Sequence, residues 1–137
     1  MRVCLDTNVL VQLFGSRRKF TPILDALVDG RLELAVSNEI LLEYEETITT
    51  LSGSSRWQQV DRFLHQLSGL RGNVLFVEPH YRFAVVNGDP DDNKFVDCAI
   101  AAATDHIVTW DRHFEALVGA GYKPQPITPD KFLLKLE

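Results

Sequence analysis

The stretch that decides the fold is residues 3–10, VCLDTNVL, in which a short apolar run ends directly at an acidic residue, Asp6. The apolar run predicts a buried strand, and the residues after Asp6 predict a helix that reaches Phe14. The same order returns near the other end of the chain, where residues 106–111, HIVTWD, place Asp111 shortly after another apolar run. Short strands without polar alternation are typical of parallel sheets, because helices cover both of their faces.

Strand-like and helix-like segments alternate along the rest of the chain. The predicted strands cover residues 3–5, 32–36, 74–77 and 106–109. The predicted helices cover residues 7–14, 22–29, 38–51, 57–70, 92–104 and 113–117, with a short last helix from residue 129. Thr21 and Ser37 are the predicted N-caps of the second and third helices. This alternation predicts an α/β fold with a central parallel sheet, in which ligands bind beyond the carboxyl ends of the strands.

The composition is that of one ordinary globular domain. The 137 residues are 45% hydrophobic and 24% charged, which excludes disordered and collagen-like classes. No apolar run approaches the roughly 18 residues of a membrane span, and no signal segment opens the chain, so we expect a cytoplasmic protein. Cys4 and Cys98 lie in apolar runs, and we expect both to be buried and reduced.

The net charge of the chain limits the classes of ligand that its surface as a whole can attract. The formal net charge is −5, so the protein as a whole does not present a basic surface to nucleic acid. A local basic patch or a bound cation still allows nucleic acid as a ligand, because either one makes the electrostatic potential positive at the binding site.

Two acidic residues follow predicted strands. Asp6 and Asp111 should lie on the same edge of the sheet, because the carboxyl ends of parallel strands share one edge. Taken singly, each is also explained as a helix cap or turn residue. Their shared edge makes two unrelated caps the less satisfactory explanation.

A second group of acids lies in residues 88–94, GDPDDNK. Three carboxylates within four positions repel one another, so we expect a cation beside them, either a metal or a basic neighbour such as Lys94. One of the three should begin the next helix, with Asp91 preferred, and all three are also explained as turn residues. Asp97 lies roughly opposite the apolar face of that helix, which favours exposure to solvent; the alternative is a supporting role at the site.

The helix after Ser37 offers further acids. Glu43 and Glu45 border its apolar stripe on opposite sides, so periodicity does not choose between them. Several carboxylates without a zinc-like Cys/His pattern indicate hard divalent cations, Mg²⁺ or Mn²⁺. Such ions activate water and stabilise in-line displacement at phosphorus.

The strings LDTNVLV, SNEILLEYEE, DPDDNKFVDCAIAAA and IVTWDRHF, in this order and spacing, resemble the PIN-domain ribonucleases. Among these, the chain is most similar to the VapC-like toxin components of bacterial and archaeal toxin–antitoxin pairs. The resemblance covers essentially the whole chain and implies a single PIN-like domain over residues 1–137. Its fold would be a three-layer α/β/α arrangement around a parallel sheet.

The resemblance also implies the site and its chemistry. Four acids would form a catalytic site that holds Mg²⁺ or Mn²⁺ and hydrolyses RNA phosphodiesters: Asp6, Glu43, Asp92 (with Asp91 as the neighbouring alternative) and Asp111. Supporting positions are implied for Asn8, Asn93, Asp97 and Thr109. Positive charge that guides RNA is expected from Arg17, Arg18, Lys19 and Arg112, with Lys94 as a further candidate. Trp110 is either a packing residue or a surface on which a base stacks.

The partners implied by the resemblance are an RNA substrate, a small antitoxin protein and a second copy of the chain in a homodimer. The apolar stripe of the helix over residues 57–70 is explained either as core or as an interface, and core is the simpler explanation.

Two other functions compete with this interpretation. Phosphoaspartyl phosphatases also carry an Asp after the first strand, but they have a second Asp two residues later, where this chain has Asn8. A PIN-like domain that binds RNA or protein without cleaving is the second alternative.

Overall fold

Over the residues that the structure describes, 1–15 and 18–137, the strands form a five-stranded parallel sheet. This computed structural model has the strand order β3-β2-β1-β4-β5, and every neighbouring pair is parallel. The strands are β1 (Arg2–Leu5), β2 (Glu33–Val36), β3 (Val74–Phe76), β4 (His106–Val108) and β5 (Gln125–Ile127). The prediction of an α/β fold with a parallel sheet is therefore confirmed.

The helices begin and end where the local sequence provides caps. They are α1 (Thr7–Leu13), α2 (Thr21–Val28), α3 (Asn38–Ser52), α4 (Ser54–Arg71), α5 (Asn93–Ala101) and α6 (Pro129–Lys135), with 3-10 turns at Pro90–Asp92 and Arg112–Leu117. The Ser37 hydroxyl accepts a hydrogen bond from the Ile40 N–H, so Ser37 caps α3 as predicted. Gly53 is the single residue between α3 and α4. Its φ of 91° is a backbone conformation that residues other than glycine disfavour.

The inner strands β1 and β2 are buried on both faces. Successive residues of a strand point to opposite faces, yet residues 3–5 and residues 34–36 are all fully buried. Helices must therefore cover both faces, which gives the expected three layers. The largest fully buried side chains include Tyr44, Phe95 and Phe114. Trp57 on α4 also belongs to this core, in agreement with the simpler explanation of the α4 stripe.

Several predicted boundaries differ from the structure. Strand β5 was not predicted because Pro126 interrupts it; the missing N–H is tolerated because β5 is an edge strand. Thr21 was predicted as an N-cap, but it is the first helical residue of α2, and within residues 1–15 and 18–137 no side chain caps that helix. Helix α5 ends at Ala101 rather than Thr104, because Ala103 adopts φ 52° and breaks the helix. The residues predicted as a helix over 113–117 form a 3-10 turn.

A segment without helix or strand, residues 77–89, is attached to α5 by two side chains. The Asn93 amide makes two hydrogen bonds to Val86, accepting from its N–H and donating to its carbonyl, each at 2.9 Å. Asp97 accepts a hydrogen bond from the Phe83 N–H at 3.0 Å. The expected exposure of Asp97 is therefore wrong: the residue is 6% exposed, because the segment covers this part of α5.

Within the described residues, none of the helices has the length and apolar character that crossing a membrane requires. Cys4 and Cys98 are buried and free, as predicted.

Candidate functional site

The candidate site lies where the connections of the sheet reverse direction. From β1 the chain continues to β2 and β3 on one side, and β4 and β5 are added on the other side of β1. Ligands of such sheets bind in the crevice beyond the carboxyl ends of the two strands at this point. Asp6 directly follows β1, and Asp111 lies three residues after the end of β4. The topology thus brings together acids that are about a hundred positions apart in sequence.

A cavity of about 480 Å³ opens at this crevice. It is lined by Asp6, Thr7, Asn8, Glu43, Thr47, Asp89, Asp92, Trp110 and Asp111. All four acids expected to form the site therefore meet in one cavity. Glu45 and Asp91 are exposed and do not line it, so the geometry distinguishes both pairs of alternatives.

Thr109 links the acids at the ends of β1 and β4. Its hydroxyl donates to Asp6 Oδ2 at 2.6 Å and accepts from the Asp111 N–H at 2.9 Å. The other oxygen of Asp6, Oδ1, accepts from the Thr7 N–H at 2.8 Å. Both oxygens of Asp6 are therefore held by donors, and the orientation of this carboxylate is fixed.

Glu43 is positioned by contacts on both sides of α3. Its Oε1 lies 2.7 Å from Lys94 Nζ, and the Thr7 hydroxyl donates to Oε2. The next residue, Tyr44, is fully buried and donates its hydroxyl proton to the Leu5 carbonyl, which ties α3 to the end of β1. Lys94 was expected beside the acids of residues 88–94, but it pairs with Glu43 instead.

Asp92 is the buried member of the acidic turn. It is 9% exposed, whereas Asp91 is exposed. Asp89, rather than the expected Asp91, supplies the cap, because its Oδ1 accepts from the Asp91 N–H at 3.1 Å. This cap belongs to the 3-10 turn that precedes α5.

His113 is a residue at the site that the sequence analysis missed. Its Nδ1 lies 3.2 Å from Asp111 Oδ1 and 3.5 Å from Asp92 Oδ2. One ligand atom each from Asp89, Asp92 and His113 lies within 4.8 Å of the other two. The available signal was the spacing of His113 two residues after Asp111, on the same turn as an expected site acid.

Burial, together with the charges of neighbouring acids, raises the pKa of two of the acids. For the Asp6 carboxyl, burial is the main cause, and the hydrogen bonds from Thr7 and Thr109 partly oppose it. For Asp92, burial and then the charges of Asp111 and Asp89 raise the pKa to about 7. The cavity thus disfavours a full set of ionised carboxylates unless a cation is present.

The residues present fit a divalent cation. Among the described residues, Asp92 Oδ2 is a buried oxygen that accepts no hydrogen bond, with His113 Nδ1 3.5 Å away, so it is available as a ligand. The other donors are carboxylate oxygens and one imidazole, which are ligands of Mg²⁺, Mn²⁺ and other divalent metals. A cation would offset the repulsion that raises these pKa values.

The other expected supporting residues fall into two groups. Asn8 lines the cavity, and Thr109 holds Asp6 as described. Asn93 and Asp97 do not line the cavity and instead hold the segment of residues 77–89 on α5. Burial raises the pKa of the Asp97 carboxyl, and the Phe83 N–H opposes this rise.

Of the four residues expected to contact RNA, the structure describes three. Arg17 lies outside the described residues, and Arg18 is exposed. Lys19 is paired with Asp130 at 2.6 Å. A neighbouring cavity of about 660 Å³ contains Arg112 in its lining. Trp110 borders both cavities, is 43% exposed and packs edge-on against Phe20 with ring centroids 5.6 Å apart.

Comparison with known proteins gives the family of the chain. A search of the curated proteins found no match. A protein-family model described as PIN domain matches residues 2–113, which include β1 to β4 and all four expected acids. The match covers most of the chain and confirms the resemblance at the level of the domain. The protein therefore belongs to the PIN domain family.

Proposed function

We propose that the protein is a metal-dependent endoribonuclease that uses Mg²⁺ or Mn²⁺ at the cluster of Asp6, Glu43, Asp92 and Asp111. PIN domains are generally nucleases, which supports hydrolysis of a nucleic acid phosphodiester. The observation that carries the proposal is the meeting of four acids from separate parts of the chain in one cavity. Like charges that converge in this way are unfavourable for folding alone, so a bound cation and a function explain them better.

The four acids and their neighbours would have different roles in the reaction. Asp6, Asp92 and Asp111 would hold the cation, with Thr109 keeping Asp6 in its orientation. When bound, the cation supplies Lewis-acid stabilisation of the phosphoryl charge and lowers the pKa of the attacking water. Glu43 completes the set of acids or orients that water, and Lys94 keeps Glu43 in place.

The substrate must approach a protein of net negative charge. The bound cation and the exposed side chains of Arg18 and Arg112 supply local positive charge. Trp110, half-exposed at the border of both cavities, offers a face on which a base can stack. Single-stranded RNA is the substrate class that these features fit best.

We further propose that the protein acts as a VapC-like toxin in the cytoplasm, with a small antitoxin partner and as a homodimer. The support for these finer assignments is the sequence resemblance. In the same sense, residues 1–137 are proposed as one domain. Residues 114–137 lie beyond the family match, yet Phe114, Leu117 and Phe132 belong to the common core.

Cleavage of labelled single-stranded RNA tests the nuclease. The wild-type protein should cut with Mg²⁺ or Mn²⁺ and not with EDTA. Glu43→Gln should abolish cutting, whereas Glu45→Gln, two residues away on the same helix but outside the cavity, should leave it intact. Asp92→Asn and Asp91→Asn form a second matched pair with the same expectation. Equal loss in both members of a pair would contradict the proposed site.

A catalytically silent binding module is the second candidate. It would bind RNA or protein but release no cleavage product with any metal. The intact set of four acids favours the nuclease, since a binding function alone does not require them.

A further inference from the structure

His113 places an imidazole at the edge of the acidic cavity, where the four-acid cluster does not account for it. We propose that Asp89, Asp92 and His113 form a second cation position, which takes a first-row transition-metal dication in preference to Mg²⁺. The proposal deepens the proposed function, on which it rests in one respect: Asp92 would serve both positions. The ligand atoms themselves are close without any metal, all within 4.8 Å of one another.

The distances between the proposed ligands are close to those of a coordination shell. Two ligand atoms that are each ~2.1 Å from a cation lie roughly 3–4.2 Å apart, depending on the angle between them. His113 Nδ1 lies 3.5 Å from Asp92 Oδ2, which is within this range, and the ligand atoms of Asp89, Asp92 and His113 all lie within 4.8 Å of one another. A cation between the three groups would therefore need only small side-chain shifts.

The unpaired oxygen of Asp92, which would serve both positions, is a second observation that points to a ligand. Asp92 is 9% exposed, and among the described residues no donor satisfies its Oδ2. A buried carboxylate oxygen without a partner is unfavourable, because it has lost its hydrogen bonds to water and gained none from the protein. This oxygen faces His113, whose side chain is half-exposed, so a cation can reach the position from solvent.

The backbone at Gly88 allows the imidazole to approach. A Cβ atom at this position would lie 3.0 Å from His113 Cδ2 and 3.3 Å from its Nε2. The ring thus packs directly on the backbone of Gly88, and its Nδ1 is turned towards the carboxylates. Glycine at position 88 is explained by this contact.

The donor types determine which metal is preferred. Mg²⁺ favours oxygen ligands and keeps most of its water, whereas imidazole nitrogen suits Zn²⁺, Cu²⁺, Ni²⁺ and iron ions. The four-acid cluster offers only carboxylates among its charged groups and shows no such preference. The imidazole of His113 therefore gives the second position its selectivity.

Mn²⁺ is the probe for the experiment, because its unpaired electrons couple to a nitrogen ligand. Binding would be measured by electron paramagnetic resonance during a Mn²⁺ titration, and nitrogen coupling by electron spin-echo modulation. The variants are His113→Ala and, as a control, His65→Ala, which changes an exposed histidine on α4. Circular dichroism would check that each variant is folded.

We expect imidazole nitrogen coupling in the wild-type protein and in His65→Ala, and its loss in His113→Ala. Mn²⁺ affinity at this position should fall about tenfold or more in His113→Ala, while Mg²⁺ affinity stays unchanged. Absence of coupling in the wild-type protein, its persistence in His113→Ala, or equal losses for both ions would overturn the proposal. RNA cleavage without nitrogen coupling would reject this position alone, and coupling without cleavage would reject the nuclease alone.

Discussion

Thr109→Val tests whether one buried hydroxyl holds the two strand ends of the site together. The substitution keeps the shape of the side chain and removes its hydroxyl, which donates to Asp6 and accepts from the Asp111 N–H. Thr109 is 3% exposed, and its two hydrogen bonds are part-buried. The change therefore leaves a part-buried N–H without its acceptor and removes one of two donors to Asp6.

The expected size of the effect follows from the two bonds. A hydrogen bond to a charged group contributes about 1.5–3 kcal/mol, and an ordinary one about 0.5–1.5 kcal/mol. Allowing for the hydroxyl that no longer needs to be buried, we expect the free energy of unfolding to fall by about 2–3 kcal/mol. The pKa of Asp6 should also rise further, because the Thr109 bond lowers it in the wild-type protein.

Thr104→Val is the matched control. Thr104 is fully buried as well, but among the described residues its Oγ1 has no hydrogen-bond partner. The same substitution should therefore be neutral or stabilise the protein by up to about 1 kcal/mol. Urea unfolding of both variants, without metal at neutral pH, would give the difference. If Thr109→Val is no more destabilising than Thr104→Val, the proposed link between the strand ends is refuted.

Three further predictions concern the groups around the same cavity. Because the pKa of Asp92 is raised to about 7, the folded protein binds more protons than the unfolded chain between about pH 4 and pH 8. In EDTA, the Tm should therefore fall between pH 5 and 8, and Asp92→Asn should reduce this slope. Lys94→Met should lower the free energy of unfolding by about 1–3 kcal/mol, since it leaves the half-buried Glu43 without its cation. In urea unfolding, adding Glu43→Gln to this variant should recover part of the lost free energy. If nothing is recovered, the ion pair is not the cause of the loss. Asn93→Ala should speed hydrogen exchange of the Val86 amide, because that N–H loses its acceptor; an unchanged exchange rate would show that other contacts hold the segment of residues 77–89.

The sequence was sufficient for most of the sheet because β1 to β4 are apolar runs whose burial is encoded locally. Strand β5 was not predicted because Pro126 is compatible with a strand only at the edge of a sheet. Which strand lies at the edge depends on the whole fold and is not visible in the local sequence. Asp97 was misjudged for a similar reason. Helical periodicity shows which side of α5 is polar, but it does not show that residues 77–89 lie over that side.

The residues of the candidate site were likewise predicted only in part. Asp6 and Asp111 could be located from the rule that ligands bind at strand ends, whereas the choice of Glu43 needed the family resemblance. His113 could not be predicted from spacing alone. Its contact with Asp92 joins two turns that lie 21 residues apart in the chain, and these meet only once the sheet has formed.

The arrangement of charges explains why the site depends on both the fold and a cation. Three contacts hold the acids in place: the Thr109 hydroxyl between two strand ends, the Lys94 ion pair with Glu43, and the His113 imidazole beside Asp92. These contacts orient the carboxylates but do not offset their burial and mutual repulsion, which together raise the pKa of Asp92. Folding energy elsewhere, from the sheet buried on both faces, must therefore support an unfavourable cluster. When a cation binds only the folded protein, the cluster contributes to stability instead of reducing it, because the cation stabilises the state in which the acids meet.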